Sequence, residues 1–385
     1  SVLKMSKIKE PDFVVRLFFV ILKLPFSLEG LFMTRLEKVR NSMKEQEIDG
    51  LIVYSPYNLR YLANFTGTTG FALITLTDAY FVTDARYTQQ AQQQAKGFHV
   101  IEHKTGWVPA FEKIIRENNL KFVGFEADHV SVSQLEIFED AFDTALIPTQ
   151  NIVEKIREVK DEGEIQTIRE ACRISDAAFL HILDFIKPGV SEIQVANELD
   201  FYMRGLGATG VSFDTIIASG VRSSMPHGVA SAKVIETGDL VTLDFGCYYN
   251  GYVSDMTRTI AVGEPIDQLK EIHDVVLQAQ LKVSEAAGPG KTGVELDKIA
   301  RDYIASRGYG EYFTHSTGHG IGLEIHEAPN VSRIAKQAFV PGNVITNEPG
   351  IYLPGVGGVR IEDDIIINET GGEVIQKVPR ELIIL

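Results

Sequence analysis

The sequence predicts an α+β protein in which a smaller α/β domain, residues 33–150, precedes a larger α+β domain, residues 151–385. Three observations favour this fold class. The length of 385 residues is sufficient for two domains that each bury a core. Before residue 150, strand and helix patterns alternate along the chain. After that point, helices with clear starts are followed by strands that contain many acidic residues.

The first domain alternates strands with helices. Its strands are rich in β-branched and aromatic residues, and its helices place apolar residues at helical spacing. After an amphipathic helix start at Met33, the predicted strands are GLIVYS (50–55), FALITLT (71–77), AYFVTD (79–84) and KFVGFEA (121–127), and the predicted helices are YTQQAQQQA (87–95), PAFEKIIREN (109–118) and SQLEIFEDAF (133–142).

The second domain begins in a charge-dense stretch, NIVEKIREVKDEGEIQTIREAC, which enters a long helix. Ser191 with Gln194 and Thr292 with Glu295 match the capping-box pattern that starts a helix. The predicted strands are TIIAS, LVTLDFG, YVSDMTRTIAV, NVITNEPGIYL and GVRIEDDIIIN. We expect helices on one face of a largely antiparallel sheet and polar residues on the other.

Residues 1–32 differ in character from the rest of the chain. Their uncharged run, Leu17–Leu22, is too short to span a bilayer, and no convincing cleavage site follows it. We therefore expect Met33 to be the natural start and residues 1–32 to be an uncertain extension, with an interfacial anchor as the alternative. No stable membrane insertion is expected.

The composition excludes some functions. A formal net charge of −15 argues against partners such as nucleic acid and anionic membrane surfaces. The two cysteines, Cys172 and Cys247, are too few for a disulfide framework and fit a reducing compartment. The expected location is the cytoplasm.

The stretch LDFGCYYNGYVSD, residues 243–255, places two aspartates in apolar surroundings. The Asn250-Gly251 pair predicts a two-residue type I′ turn, in which both residues adopt positive φ. In that hairpin, Asp244 and Asp255 lie diagonally on the same face, with backbones roughly 7–8 Å apart. Two charges that close on a buried strand are destabilising without a cation between them. The pattern therefore predicts a metal site in preference to two solvent-facing aspartates.

Three further segments supply candidate ligands. HSTGHGIGLEIHEAP (315–329) contains His319, NEPGIY (347–352) contains Glu348, and VRIEDD (359–364) places Glu362 on an alternating strand with Arg360 and Asp364. Four carboxylates and one imidazole suit a pair of hard to borderline divalent cations, such as Mn²⁺, better than a thiolate-bound zinc.

These segments resemble a known family. In this order, SPYNLRYLANFTG, VTDARY, the DFG and SDMTRT segments, the His-rich segment, EPGIY and VRIEDD are similar to the creatinase/aminopeptidase P/prolidase family of M24-type metallopeptidases. The resemblance covers essentially all of residues 33–385. It implies a pita-bread catalytic domain preceded by a creatinase-type N-terminal domain. Ser316 and Asn347 depart from the commoner family residues without removing a ligand.

The resemblance also implies a dinuclear metal site. Asp255 would bridge the ions or chelate one of them together with Asp244; His319 and Glu348 would bind the other, and Glu362 would bridge both. Mn²⁺ is the expected metal, with Co²⁺ or Zn²⁺ as alternatives.

The catalytic residues implied by the resemblance are His227, His326 and Glu348, and the implied substrate-binding residues are His315 and Arg360. Arg360 could instead neutralise neighbouring carboxylates. His273 matches no family motif and is expected on the surface.

The expected function is an Xaa-Pro aminopeptidase that acts on proline-containing peptides as a cytoplasmic homodimer. The alternative is an Xaa-Pro dipeptidase, or prolidase, because the motifs do not fix the length of the substrate. A non-catalytic pita-bread binding protein and a metal-free creatinase are disfavoured, since all five implied ligands are present. A methionine aminopeptidase is disfavoured by the N-terminal domain.

Overall fold

The computed structural model describes residues 33–385. These residues divide into two compact units, which part between Ile152 and Val153. The prediction made for residues 1–32 lies outside the described residues. In the described range, no helix has both the length and the apolar character needed to cross a membrane.

The first unit is built on one six-stranded sheet in the order β4-β3-β2-β1-β5-β6. The pairs β1–β2 and β2–β3 are antiparallel, and the pairs β1–β5, β3–β4 and β5–β6 are parallel. Its elements are α1 (Arg35–Glu45), β1 (Gly50–Val53), α2 (Pro56–Ala63), β2 (Phe71–Thr75), β3 (Ala79–Thr83), α3 (Thr88–Gln94), β4 (His99–Glu102), α4 (Trp107–Glu117), β5 (Phe122–Glu126), α5 (Val132–Ala141) and β6 (Ala145–Thr149).

The sequence patterns missed α2 and the two strands at the edges of this sheet. Strand β4 has no buried residue, and β6 contains Pro148 and buries only Thr149. Edge strands of this kind lack the apolar alternation that marks a half-buried strand. The helix α2 begins with Pro56 behind the N-cap Ser55, whose side chain accepts a hydrogen bond from Asn58 N.

The second unit contains several small sheets and long helices. Its elements are α6 (Ile152–Arg157, which spans the division), α7 (Glu162–Phe185), α8 (Glu192–Gly205), β7 (Gly210–Val211), β8 (Ile216–Ser219), a 3-10 turn (Gly220–Ser224), β9 (Leu240–Phe245), β10 (Cys247–Tyr249), β11 (Tyr252–Val253), β12 (Met256–Ala261), α9 (Asp267–Ala286), α10 (Gly293–Ser306), a 3-10 turn (Gly310–Tyr312), β13 (Gly318–Gly320), β14 (Glu327–Val331), β15 (Val344–Asn347), β16 (Gly350–Leu353), β17 (Gly357–Arg360), β18 (Asp363–Ile367) and β19 (Gly372–Val374).

These strands pair antiparallel, as the sequence predicts. The sheet orders are β12-β9-β8, β11-β10-β7, β14-β13-β15-β18-β19 and β16-β17. Both predicted capping boxes, at Ser191 and at Thr292, are confirmed at the starts of α8 and α10.

Two hydrophobic cores hold this unit together. The helices α7 and α8 pack against β9 and β12, and α9 and α10 pack against β15 to β18. In β9, Leu243 and Phe245 belong to the first core, whereas Asp244 between them lines a cavity. The strand is buried on both faces, and its two faces have different chemistry.

Three of the predicted strands are each divided into two. YVSDMTRTIAV forms β11 and β12, which belong to different sheets. NVITNEPGIYL forms β15 and β16, which belong to different sheets, because Pro349 has no backbone N–H to donate. GVRIEDDIIIN forms β17 and β18, so Glu362 lies in the link between strands and not on one alternating strand. The prediction that Asp364 is an in-register neighbour of Glu362 on one strand is therefore wrong.

Asp364 has a separate structural role beside the cavity. Its Oδ2 accepts hydrogen bonds from Asp255 N at 3.1 Å and from Gln376 Nε2 at 2.8 Å. Gln376 Nε2 also donates to the carbonyl oxygen of Asp255 at 3.0 Å. The backbone N–H of Asp255 is thus held by Asp364 and its carbonyl oxygen by Gln376, and both of these buried side chains come from the C-terminal part of the unit.

The expectation that His273 lies on the surface is wrong. Its side chain is 3% exposed in α9, and this burial lowers the pKa of its imidazole to about 4. The residue follows Leu269 by four positions and precedes Val276 by three, so it lies on the apolar face of the helix.

We expect Gly246→Ala to destabilise the second unit. A Cβ on Gly246 would lie 1.8 Å from the Ser254 carbonyl oxygen and 2.5 Å from Ser212 Oγ. The backbone next to Asp255 must then shift, and the free energy of unfolding should fall by about 1–3 kcal/mol. Urea unfolding followed by circular dichroism measures the change. Gly205→Ala is the control, since nothing lies within 4 Å of a Cβ there. An equal loss in both variants contradicts the steric argument.

Candidate functional site

The hairpin predicted around Asn250-Gly251 is confirmed. Both turn residues have positive φ, 47° and 85°, as a type I′ turn requires. Tyr249 pairs with Tyr252, and Asp244 pairs with Thr257 in the predicted register. The carboxylates of Asp244 and Asp255 both line the same cavity. Local turn chemistry therefore places the two aspartates side by side.

A cavity of about 540 Å³ brings together every site residue predicted from the sequence. These residues come from distant parts of the second unit: His227 from the loop before β9, Asp244 from β9, Asp255 from the residue before β12, His315 and His319 from β13 and its approach, His326 from the residue before β14, Glu348 from the link between β15 and β16, Arg360 from β17 and Glu362 from the link between β17 and β18.

The sequence did not identify the other side chains of the cavity wall. They are mostly apolar or small: Phe213, Asp214, Ile216, Pro226, Val229, Ser316, Gly318, Ile325 and Asn330. Ser316, Gly318 and Ile325 lie in the His-rich segment, but the sequence analysis assigned them no role in the site. The others belong to no charged or His-rich pattern, so the sequence gives no signal that separates them from ordinary core and loop residues.

Three potential metal ligands form the closest group. Ligand atoms of Asp255, His319 and Glu362 all lie within 4.8 Å of one another. His319 Nε2 is 3.6 Å from Asp255 Oδ2 and 3.4 Å from Glu348 Oε1. These separations exceed those of good hydrogen bonds. The spacing allows several of these atoms to approach one small ion.

The carboxylates of this group repel one another in a buried environment. Burial raises the pKa of Asp255 well above its usual range, and the charges of Glu362 and Asp244 raise it further. Burial likewise raises the pKa of Glu362, with the charges of Glu348 and Asp244 adding to the effect. Burial also raises the pKa of Glu348 to about 7, although Arg360 opposes this shift. A divalent cation would stabilise the ionised forms of all of them.

Two unpaired oxygens show that the donor set fits a metal. Oδ1 of Asp244 and Oδ1 of Asp255 are buried, and neither has a hydrogen-bond partner among the described residues. A buried carboxylate oxygen without a partner is costly unless a cation or an ordered water satisfies it. An oxygen-rich set with one imidazole is suited to Mn²⁺ and similar ions.

His319 is held in the form that can bind a metal. Its Nδ1–H donates to Gly320 O at 3.1 Å, so the lone pair of Nε2 faces the carboxylates. Burial lowers the pKa of its imidazole to about 4, and the ring is therefore neutral at neutral pH. Thr257 Oγ1 orients Glu362 by donating to Oε2 at 2.6 Å, and Thr346 Oγ1 donates to Glu348 Oε1 at 3.3 Å.

Arg360 contacts a metal-ligand candidate directly. Its Nη2 donates to Asp244 Oδ2 at 2.5 Å, its Nε donates to Thr257 Oγ1 at 3.1 Å, and its Nη1 donates to Tyr352 Oη at 2.6 Å. Tyr352 in turn lies 2.8 Å from Nε2 of His315, whose Nδ1 is 2.7 Å from Ser316 O. The EPGIY segment contains Tyr352, but the sequence analysis assigned it no role.

His227 and His326 occupy the more exposed side of the cavity. His326 packs edge-on against His319, with ring centroids 4.3 Å apart. Burial and the nearby charge of His227 lower the pKa of His326. The cavity therefore has two exposed imidazoles as well as the buried carboxylates in its lining. Asn347 has a different environment, since its side chain donates to Gln280 O at 2.8 Å in α9.

An acidic, imidazole-containing set of candidate ligands in a cavity of about 540 Å³ is typical of the class of metal-dependent hydrolases. The chain belongs to metallopeptidase family M24, whose family model matches residues 166–369. The creatinase/prolidase N-terminal domain matches residues 35–159. The predicted family and fold class, a pita-bread catalytic domain after a smaller creatinase-type domain, are confirmed, and the chain is a metallopeptidase.

Related proteins match nearly the whole described chain. The structure of an Xaa-Pro dipeptidase from Bacillus anthracis is 54% identical, with 91% of this chain and 99% of that chain covered and a TM-score of 0.90. The X-Pro aminopeptidase structure from Thermotoga maritima MSB8 is 41% identical, with 90% and 100% covered and a TM-score of 0.85. An Xaa-Pro dipeptidase of Pyrococcus furiosus is 41% identical over 91% of this chain and 99% of that protein.

The raised pKa of Glu348 makes the stability of the metal-free chain depend on pH. Burial moves this pKa from 4.5 to about 7, so the folded chain holds a proton that the unfolded chain releases. The resulting stabilisation is complete below pH 4.5 and is lost as the pH rises through about 7. We expect the melting temperature of the EDTA-treated wild type, relative to Glu348→Gln, to fall across this window in differential scanning calorimetry.

Added Mn²⁺ should reverse this loss, because metal binding competes with protons for the same carboxylates. The melting temperature of wild type should therefore rise more on Mn²⁺ addition at about pH 8 than at about pH 5. A wild-type stability that increases with pH relative to Glu348→Gln in the absence of metal contradicts the predicted direction.

Proposed function

We propose that the chain is a metal-dependent Xaa-Pro dipeptidase, which hydrolyses the bond between an N-terminal residue and a C-terminal proline. The aminopeptidase reading favoured by the sequence is not confirmed, and the alternative has the better support. The observation that supports it most is the similarity to an Xaa-Pro dipeptidase that is 54% identical over 91% of this chain. The similarity to an X-Pro aminopeptidase at 41% identity keeps the longer substrate as the second candidate.

The proposed metal ligands are Asp244, Asp255, His319, Glu348 and Glu362. Their support is the shared cavity, the unpaired aspartate oxygens and the neutral imidazole of His319. Two divalent ions, Mn²⁺ with Co²⁺ or Zn²⁺ as alternatives, would lower the pKa of a water and polarise the scissile carbonyl when bound.

The protein side chains orient the peptide and move protons. We assign Glu348 to proton transfer towards the leaving nitrogen, because the hydrogen bond from Thr346 holds one of its oxygens while its side chain faces the cavity. His326 is assigned to the substrate carbonyl, where charge develops in the transition state. His227 is assigned to the region of the scissile bond at the cavity wall.

The roles of Arg360 and His315 in this proposal follow from their contacts. The guanidinium neutralises Asp244 and holds Tyr352, which supports charge balance in preference to direct substrate binding. His315 accepts a hydrogen bond from the hydroxyl of Tyr352, and Tyr352 therefore connects His315 to Arg360. Both residues line the cavity, and contact between His315 and the substrate remains part of the proposal.

The proposal also includes a homodimer, a cytoplasmic location and domain limits of 33–150 and 151–385. The two cysteines support a reducing location, because Cys172 and Cys247 are buried free thiols. Burial raises the pKa of both thiols, which keeps them in the unreactive protonated form.

Substrate length is tested by product analysis. We expect the Mn²⁺-loaded protein to release alanine from Ala-Pro and to leave Ala-Pro-Ala-Ala uncut, as measured by mass spectrometry. Pro-Ala serves as the control for general dipeptidase activity. Release of alanine from the tetrapeptide at a comparable rate makes the protein an Xaa-Pro aminopeptidase. If neither Ala-Pro nor Ala-Pro-Ala-Ala is cleaved, both the dipeptidase and the aminopeptidase assignments are overturned.

Removal of a proposed ligand tests the metal centre. Asp255→Ala and Glu362→Ala should each lower activity at least 10³-fold, on the order expected for loss of metal catalysis, and should weaken Mn²⁺ binding in isothermal titration calorimetry. Asp302→Asn is the matched control, since its carboxylate pairs with Lys298 on the surface of α10. Circular dichroism establishes that each variant is folded. Wild-type Mn²⁺ affinity in both ligand variants contradicts the assignment.

A further inference from the structure

The loop Ser219–Ser231, called the His227 loop below, forms one wall of the cavity. Three of its residues, Pro226, His227 and Val229, line the cavity. The loop begins at the end of β8 and contains a 3-10 turn over Gly220–Ser224. Its position therefore determines where the imidazole of His227 lies relative to the buried carboxylates.

One buried carboxylate binds both ends of this loop. Glu192, the first residue of α8, is 0% exposed. Its Oε1 accepts hydrogen bonds from Ser219 N at 2.8 Å and from Ser219 Oγ at 2.9 Å. Its Oε2 accepts from Ser231 N at 3.1 Å and from Ser231 Oγ at 2.7 Å. The same carboxylate thus holds the two ends of the loop together.

Arg222 adds a charged contact inside the loop. Its Nη1 forms an ion pair with Glu192 Oε2, and its Nη2 donates to Val229 O at 2.9 Å. Since Val229 lines the cavity two residues after His227, this guanidinium links the carboxylate of Glu192 to the wall itself. Charge-assisted hydrogen bonds of this kind are the strong ones in a protein interior.

A second contact holds the middle of the loop against β17. Ser223 Oγ accepts a hydrogen bond from Gly358 N at 2.8 Å and donates to Gly220 O at 2.6 Å. A Cβ on Gly358 would lie 2.3 Å from Ser223 O, so the loop backbone packs directly on that strand. His227 lies between the contact at Ser223 and the contact at Ser231.

We propose that Glu192 is a positioning residue that sets the place of the His227 imidazole for the reaction. This inference rests on the proposed function, in which His227 acts near the scissile bond. Glu192 does not line the cavity and acts only through the loop. Catalytic groups must be held within a fraction of an ångström of their working position, and a displacement of about 1 Å lowers turnover by up to about 10²-fold.

The test variant is Glu192→Gln, which places an amide NH₂ against a set of hydrogen-bond donors. We expect kcat for Ala-Pro to fall by about 10-fold to 100-fold, with little change in KM and with unchanged Mn²⁺ affinity in isothermal titration calorimetry. Glu198→Gln is the matched control on the same helix, since its carboxylate pairs with His181 away from the loop. A parallel loss of Mn²⁺ affinity, or an equal loss of kcat in the control, overturns the proposal.

A double-variant cycle separates positioning from general stability. If Glu192 acts through His227, then Glu192→Gln should change kcat less than about 2-fold in a His227→Ala background. Losses that multiply in the double variant overturn the proposal. A purely structural role would lower the melting temperature without this dependence on His227.

A spectroscopic readout distinguishes failure of this inference from failure of the proposed function. In the Zn²⁺-loaded proteins, which are diamagnetic, the Cε1–Hε1 signal of His227, identified by its loss in His227→Asn, should be single and sharp in wild type and broadened or split in Glu192→Gln. The signal does not depend on turnover. An identical signal in both proteins overturns the positioning role, whereas an inactive wild type with a changed signal overturns only the peptidase assignment of His227.

Discussion

The mutual repulsion of buried carboxylates is the constraint on which the rest of the site depends. Asp244, Asp255, Glu348 and Glu362 line one cavity, and Arg360 is the one guanidinium in its described lining. Burial and their mutual charges favour the protonated forms of Asp255 and Glu362. A chain that places such groups together without cations loses stability. The neutral His319 and the unpaired aspartate oxygens show that the arrangement is suited to metal ions.

The scaffold opposes this repulsion by fixing the backbone around these carboxylates. Arg258 is one of the largest fully buried side chains, and its Nη1 donates to Thr257 O at 2.9 Å and to Glu362 O at 2.6 Å. Its Nη2 donates to Asp363 Oδ1 at 2.7 Å. The side chain of Arg258 therefore connects strand β12 to the segment between β17 and β18 that contains Glu362. The carboxylates of the candidate site cannot separate to relieve their repulsion without breaking these buried hydrogen bonds, and each of these bonds is costly to leave unmade.

The parts of the site that depend on local chemistry could be predicted from the sequence. The Asn250-Gly251 turn fixes the register of its hairpin, so the juxtaposition of Asp244 and Asp255 follows from residues close in sequence. The segment containing Glu362 shows the limit of this approach. Its alternating pattern describes one strand, but long-range pairing divides it between two sheets.

Other features depend on contacts that a sequence pattern does not encode. Tyr352 receives its role from Arg360 and His315, and Glu192 receives its role from a loop that follows it by 27 positions or more. For Tyr352 and Glu192 the deciding information is which residues become neighbours after the chain has folded. For His273 the sequence contained the information, but the residue was expected on the surface because it is polar. Its spacing from the apolar residues of the same helix indicates the buried face.

The two hydrogen bonds between Gln376 and the surroundings of Asp255 have a consequence for biosynthesis. Gln376 follows Asp255 by 121 positions, and Pro379, which accepts a hydrogen bond from Arg258, follows Arg258 by 121 positions. The ribosome therefore releases the hairpin well before the residues that hold it in place. During that interval the hairpin lacks the hydrogen bonds to Gln376 and Pro379. A metal ion that bound at this stage would bind Asp244 and Asp255 before their backbone is fully ordered. The candidate site is thus completed late, only when the distal segment reaches the hairpin.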